Sequence, residues 1–139
     1  MAAAIRKLLS GGKIEACAVI TKRSRIGPSL KAEAIYEPDW RSGKAIATRI
    51  GRGDGQPMGL AGLWSAWKSP SGGWVQSYTM LTINADEHPL IRNFHKPGDE
   101  KRMVVILPEA AYDDWLKAPV DRSMEFIRQY PAERLLTNA

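Results

Sequence analysis

Short apolar runs separated by glycine, proline and charged residues dominate the chain from residue 32 onward. Four of them have the length and the β-branched or aromatic content typical of strands; they cover residues 34–36, 45–50, 59–64 and 74–84. In the last run Trp74, Tyr78 and Met80 lie at even positions, but intervening apolar residues blur the alternation. This pattern predicts a strongly twisted or two-sided strand within a meandering, mostly antiparallel sheet.

The second half of the chain alternates between helix and strand signals. Residues 86–94 predict a short helix, 95–100 a polar loop around Pro97-Gly98, and 102–107 a buried strand. Pro108 opens a further predicted helix, whose apolar face places Trp115 in the core. Residues 121–130 form a second helix candidate that ends at Pro131.

The first thirty residues differ in character from the rest. A short helix is predicted over residues 2–9 and a strand over 14–21, followed by basic residues and Gly27-Pro28-Ser29, a turn composition. We therefore expect a divergent segment at 1–30 and a domain at 31–139. The predicted fold class is α+β, with a sheet core and peripheral helices.

Composition narrows the functional classes. The chain has 139 residues and is 44% hydrophobic, enough for one domain with a real core, and it lacks an apolar run long enough for a membrane span or signal peptide. We expect a cytoplasmic monomer without a cofactor. The net charge of +5 favours polyanionic partners, although many basic domains bind none.

The cysteine and histidine content argues against a metal centre. Cys17 is the one cysteine, so an internal disulfide is excluded, and with His88 and His95 it is too little for a zinc site. We expect Cys17 to be a small buried apolar residue and predict no metal, with a carboxylate-rich site as the alternative that the sequence leaves open.

Two residues are candidates for chemistry, and each has a structural alternative. Glu37 follows an apolar run and precedes Pro38, which stiffens the backbone and could aim the carboxylate into a cleft; a surface turn acid is the alternative. His95 precedes a charged loop, where an imidazole could transfer protons near neutral pH or could be an ordinary surface side chain.

Aromatic and basic residues could contact nucleic acid. Trp64 and Trp67 could stack on bases or pack in the core, and Arg102 could hold a phosphate or brace the site. A basic rim or a solvated face could be formed by the cations near Glu37, namely Arg41, Lys44 and Arg49.

Several segments occur in the order seen in SOS response-associated peptidases. They are Ala34-Ile-Tyr-Glu-Pro-Asp-Trp40, Gly59-Leu-Ala-Gly-Leu-Trp64, Thr79-Met-Leu-Thr-Ile-Asn-Ala85, and His95 followed by Arg102-Met-Val-Val-Ile-Leu107. The chain resembles the later half of this family, whose members cross-link to abasic sites in single-stranded DNA. The resemblance implies a partial domain with a barrel-like sheet, and it makes Glu37 and His95 active-site residues.

The sequence departs from the family pattern in four places. Pro38 replaces an aromatic residue, the loop between His95 and Arg102 is longer, and Val104 replaces proline. The family resemblance also implies a mature chain that begins with cysteine after the protein itself removes its initiator methionine. This sequence begins Met1-Ala2-Ala3.

The missing cysteine leads us to expect defective cross-linking. An N-terminal cysteine offers an α-amine and a thiol that together close a thiazolidine with the aldehyde of an abasic site. Cys17 cannot substitute, because its nitrogen is part of an amide. A residual lyase route through an amine would be trapped by borohydride. The alternatives are a non-catalytic single-stranded DNA-binding remnant and a truncated gene fragment.

Overall fold

The structure is a computed structural model that describes residues 19–22 and 31–138. The predicted helix over 2–9, Cys17 and most of the strand predicted over 14–21 lie outside the described residues. The end of that predicted strand coincides with the first described strand.

Strands account for most of the described residues. They are β1 (Val19–Lys22), β2 (Lys31–Ala32), β3 (Ile35–Asp39), β4 (Ile46–Arg52), β5 (Met58–Lys68), β6 (Trp74–Met80), β7 (Thr82–Asn84), β8 (Arg102–Val104), β9 (Ile106–Leu107) and β10 (Leu135–Asn138). One α-helix, α1 (Tyr112–Lys117), follows a 3₁₀ turn at Glu109–Ala111. Further 3₁₀ turns lie at Ile91–Asn93, Val120–Phe126 and Ala132–Arg134.

The longest strand, β5, organises the central sheet. One edge of β5 pairs antiparallel with β2 and then parallel with β1, and the other pairs antiparallel with β9 and then β6. Where the partner changes from β9 to β6, three backbone bonds form a cycle: Ala61 donates to the carbonyl of Val105, Val105 to Leu81, and Leu81 to Ala61. The small side chain of Ala61 suits a point where three chains meet.

Burial on both faces explains the unbroken apolar run from Met103 to Leu107. Val104 and Ile106 pack into a core cluster with Ile50, Leu60 and Phe94, among others. Val105 and Leu107, which follow them along the chain, belong to a second cluster with Ala61 and Trp115. Because successive strand residues point to opposite faces, the two clusters lie on opposite sides of the same chain segment.

A second sheet carries the acid candidate. It has the order β10-β4-β3, with antiparallel pairing throughout. The terminal strand β10 has no counterpart in the sequence-based prediction. Its pairing with β4 covers a strand edge, and its residue Leu135 is only 5% exposed.

The helix predicted over residues 86–94 is wrong, since only Ile91–Asn93 form a 3₁₀ turn there. The reason is the buried side chain of His88. Its Nδ1 accepts the backbone N–H groups of Leu90 and Ile91, and its Nε2 lies 2.7 Å from the carbonyl oxygen of Tyr130, to which it donates. These bonds compete with the backbone pattern of an α-helix.

The second helix candidate, 121–130, is a 3₁₀ segment over Val120–Phe126 and not an α-helix. Phe126 near its end meets the ring of Trp115 edge-on, with 5.6 Å between the ring centroids. The prediction that Trp115 belongs to the core is confirmed, since it is fully buried.

The mixed α and β content and the mostly antiparallel pairing agree with the predicted class. Among residues 19–22 and 31–138 the strands form three sheets and no closed barrel is found, so the barrel-like expectation is not confirmed. Of the helices in the described part of the chain, none combines the length and apolar character needed to cross a membrane.

Candidate functional site

Glu37 lies in the middle of β3, opposite Thr48 of β4. The next residue, Pro38, has no backbone N–H, so an ordinary strand could not complete its hydrogen-bond ladder on the other edge. This edge is therefore open to a segment that needs only the carbonyl oxygen of Pro38.

The segment that takes this edge contains His95. The backbone N–H of His95 donates to the carbonyl oxygen of Pro38 at 2.9 Å, and Phe94 forms an isolated β-bridge with Asp39. The side chain of Phe94 is fully buried, which anchors the segment. Two residues that are far apart in the sequence, Glu37 and His95, thus become neighbours.

The backbone of His95 is in the left-handed region, with φ of +64°. A side chain with a Cβ adopts this conformation at a cost of about 1 kcal/mol or more, so the surroundings must hold it in place. The bond to Pro38 supplies part of that restraint, and a second part comes from the imidazole.

The imidazole of His95 has a defined orientation. Its Nε2 lies 2.9 Å from the backbone oxygen of Arg102 and 3.6 Å from Oε2 of Glu37. A carbonyl oxygen only accepts hydrogen bonds, so Nε2 carries a proton, and the 3.6 Å separation from Glu37 is too long for a second direct bond. In the neutral ring Nδ1 is then the atom with the free lone pair.

Burial governs the charge of Glu37. The side chain is 15% exposed, and none of the described residues donates a hydrogen bond to its carboxyl group. This desolvation raises the pKa of Glu37 above its ordinary value of 4.5, and the Coulomb attraction of His95 opposes only part of the rise. An acid with a raised pKa beside an imidazole is typical of sites that transfer protons.

Arg102 holds in place the backbone segment whose carbonyl oxygen the imidazole contacts. Its guanidinium donates to the side-chain and backbone oxygens of Thr82, at 3.0 and 2.9 Å, and to Glu100 at 2.8 Å. Since β7 and β8 pair through Thr82 and Asn84, these bonds fix the carbonyl that His95 contacts. The alternative role of Arg102 as a phosphate contact stays a prediction.

A cavity of about 300 Å³ opens beside His95. Its lining includes Trp40, Arg41, Arg92, His95, Gly98 and Lys101. Glu37 is not part of the lining, but its carboxyl group contacts His95, which is. Of the predicted basic rim, Arg41 lines this cavity, whereas Lys44 and Arg49 do not.

The other two predicted contacts, Trp64 and Trp67, lie on β5 of the central sheet. Their backbones pair in register with Tyr78 and Val75 of β6, and their contact with nucleic acid stays a prediction. Sequence reasoning missed Trp40 and Arg92 as site residues. Trp40 lies three positions after Glu37, which was a usable signal, but nothing in the sequence connects Arg92 to Glu37.

The geometry defines a class of site, a partly buried carboxyl group and an oriented imidazole beside a cationic cavity. In the described part of the chain, no group of three or more histidine, cysteine, aspartate or glutamate side chains could hold a metal ion. A carboxyl group with a raised pKa beside an imidazole is suited to proton transfer, and the cations that line the cavity are suited to an anionic ligand.

Comparison with known proteins identifies the family. Residues 28–138 match the family described as SOS response associated peptidase, so the chain belongs to this family. It is similar to a protein of known crystal structure from Bordetella bronchiseptica, with 58% identity over 78% of this chain and a TM-score of 0.75. A crystal structure of a protein from Bacteroides thetaiotaomicron shares the fold at 15% identity, with a TM-score of 0.64 over 78% of this chain.

The chain is shorter than the relatives of known structure. It covers 51% of the Bordetella protein and 46% of the Bacteroides protein, about half of each. No curated protein matches its sequence.

Proposed function

We propose that the protein binds single-stranded DNA and acts at abasic sites, with Glu37 and His95 as the groups that transfer protons. The observation that carries this proposal is the contact between the two side chains, 3.6 Å from Nε2 to Oε2, in which Arg102 orients the imidazole and burial raises the pKa of the acid. The resemblance to abasic-site processing proteins supplies the substrate.

The chemistry of an abasic sugar needs both groups. Opening the sugar ring takes one proton from the anomeric hydroxyl as the aldehyde forms and gives one to the ring oxygen as its bond to carbon breaks. The ionised form of Glu37 accepts the first proton, and the doubly protonated ring of His95 donates the second from Nδ1. Where an N-terminal cysteine is present, its amine then adds to the aldehyde carbon, water leaves to form an imine, and the thiol of the same cysteine closes the imine to a thiazolidine.

The experiment tests whether this site is competent once an aminothiol is available. Alanine stands at position 2, so Ala2→Cys with Met1 removed places a cysteine at the amino terminus. Both chains are incubated with single-stranded DNA containing one abasic site and resolved on a denaturing gel. We expect a shifted band in the variant alone.

Substitutions within the Ala2→Cys background assign the roles. Glu37→Gln and His95→Asn should each slow cross-linking about 100-fold or more, the usual loss for a general acid or base. Glu33→Gln, which neutralises an exposed acid four residues before Glu37, is the matched control and should cross-link at the rate of Ala2→Cys. Absence of a band in Ala2→Cys itself would contradict the proposed function.

The second candidate function is binding without chemistry, favoured by the cationic lining of the cavity. It predicts salt-dependent binding of intact single strands that an abasic site does not strengthen. Equal retention of the protein by a neutral polymer would exclude this function.

A further inference from the structure

The cavity beside His95 has more positive charge than proton transfer requires. Arg41, Arg92 and Lys101 line it, and no aspartate or glutamate appears in its lining among the described residues. Cationic clefts concentrate anions, and this one has the volume of a small ligand pocket.

The three cations differ in the hydrogen bonds and ion pairs that they make within the protein. Arg41 is bound by both carboxylate oxygens of Asp39, and Nζ of Lys101 donates to the backbone oxygens of His95 and Lys96. The guanidinium of Arg92, in contrast, makes no hydrogen bond or ion pair with any described residue. The side-chain amide of the neighbouring Asn93 donates to the backbone oxygens of Pro89 and Leu90. These two hydrogen bonds fix the turn that carries Arg92.

The long loop between His95 and Arg102 builds the other wall. Gly98 has φ of +89°, a conformation that glycine adopts without strain, and Lys101 closes the loop through its bond to Lys96. The loop therefore has a defined shape and adds a cation and the Pro97-Gly98 backbone to the cavity.

We propose that this cavity is a nucleotide subsite, in which Arg92 and Lys101 hold a phosphodiester of single-stranded DNA and the indole of Trp40 stacks on the attached base. The inference rests on the proposed function and adds the position of a nucleotide neighbouring the reacting sugar. A free guanidinium provides paired donors for phosphate oxygens, and an aromatic wall next to it favours an anion that carries a base over a simple anion.

The first test measures binding of an intact oligonucleotide by the parent chain and by Arg92→Gln as salt is varied. Each lost phosphate contact should make the slope of log Kd against log salt shallower by about 0.7 and weaken binding similarly for all sequences. The matched control is Arg134→Gln, since Arg134 is exposed and lies beside Gly53, at the end of β4 remote from the pairing of Ile46 with Asp39. An equal change in both variants, or no binding by the parent chain, would overturn the subsite.

The second test separates the base from the phosphate. Trp40→Ala should lose about fivefold or more in affinity for an oligonucleotide, as expected when one stacking contact is removed, while Trp40→Phe retains most of it. Neither variant should differ from the parent chain on a phosphodiester polymer without bases. A Trp40→Ala loss that is the same on both ligands would contradict stacking, provided that circular dichroism shows the parent fold.

The subsite and the proposed function fail in different ways. Cross-linking by Ala2→Cys with no effect of Arg92→Gln on binding would remove the subsite and leave the function. Dependence of binding on Arg92 without any cross-link would retain the subsite and remove the abasic-site chemistry.

Discussion

Burial of the carboxyl group of Glu37 raises its pKa, although an imidazole stands 3.6 Å away. The pair is neither a full salt bridge nor a solvated surface contact. Desolvation costs more than the attraction returns, because His95 directs its Nε2 proton to the backbone of Arg102. Two predictions follow for single residues, one about the charge of Glu37 and one about the backbone strain at His95.

The first prediction concerns Glu37→Gln. A raised pKa means that the folded state binds more protons than the unfolded state as pH rises from about 4.5 upward, so the free energy of unfolding of the parent chain falls through that window. The glutamine variant lacks this fall and should become the more stable protein above the window, by about 1.4 kcal/mol for each unit by which the pKa is raised. Urea unfolding across pH measures the difference.

Asp39→Asn should change the pH dependence of the unfolding free energy in the opposite direction to Glu37→Gln. Hydrogen bonds from Arg41 hold the pKa of Asp39 below its ordinary value of 3.8, so the stability that this carboxylate contributes is present above that pH and is lost on acidification. A stability difference for Glu37→Gln that does not vary with pH would mean that the carboxyl group is not desolvated.

The second prediction concerns the left-handed backbone at His95. His95→Ala and His95→Gly both delete the imidazole, but only glycine adopts φ of +64° without strain. The glycine variant should be the more stable of the two by about 1 kcal/mol in urea unfolding. At Lys96, which has no positive φ, the order should be reversed by about 0.5 to 1 kcal/mol. The same order at both positions would contradict strain at His95.

At the scale of elements, β10 tests whether the terminal segment belongs to the fold. Leu135 is 5% exposed and its neighbour Leu136 is 56% exposed. Substitution of Leu135 therefore measures the loss of a buried side chain, whereas substitution of Leu136 measures only the effect of a change in the strand. Leu135→Ala should cost about 2 to 4 kcal/mol of unfolding free energy, and Leu136→Ala about 0.5 kcal/mol or less. Denaturant titration of both variants measures this, and equal losses would show that β10 does not dock on β4.

The turn before His95 depends on a single buried side chain. His88→Ala leaves the carbonyl of Tyr130 and the amides of Leu90 and Ile91 without their partner, and should cost about 2 to 4 kcal/mol. His88→Asn can keep an acceptor near the position of Nδ1 but cannot reach Tyr130, so an intermediate loss is expected in thermal or urea unfolding. If asparagine were as damaging as alanine, the cap on the turn would not contribute.

At the scale of the whole molecule, two apolar clusters share the strands between them, so the fold should behave as one cooperative unit. Val104→Ala and Val105→Ala are identical changes on opposite faces, and each should cost about 1.5 to 3 kcal/mol. Tryptophan fluorescence and far-ultraviolet circular dichroism should report the same single transition in both variants. A small loss for one of them, or two separate transitions, would show that one cluster is not part of the core.

The sequence by itself determined the strand-rich character, the buried run from Met103 to Leu107 and the two polar candidates, Glu37 and His95. It also determined the family, because the motifs appear in order along the chain. These features are local, since they depend on residue type and short spacing. The strand patterns therefore predicted the positions of β3, β4, β5 and β6, with ends that differ by up to four residues, and the run over 74–84 is divided into β6 and β7.

Only the tertiary structure decided which distant segments meet. The docking of His95 on β3, the pairing of β10 with β4 and the entry of Arg92 into the cavity depend on contacts between residues far apart in the chain. The same contacts replaced two predicted helices by 3₁₀ turns, since a buried histidine bonds to the backbone amides of one of them. Local propensity is worth a few tenths of a kcal/mol per residue, and buried long-range bonds outweigh it.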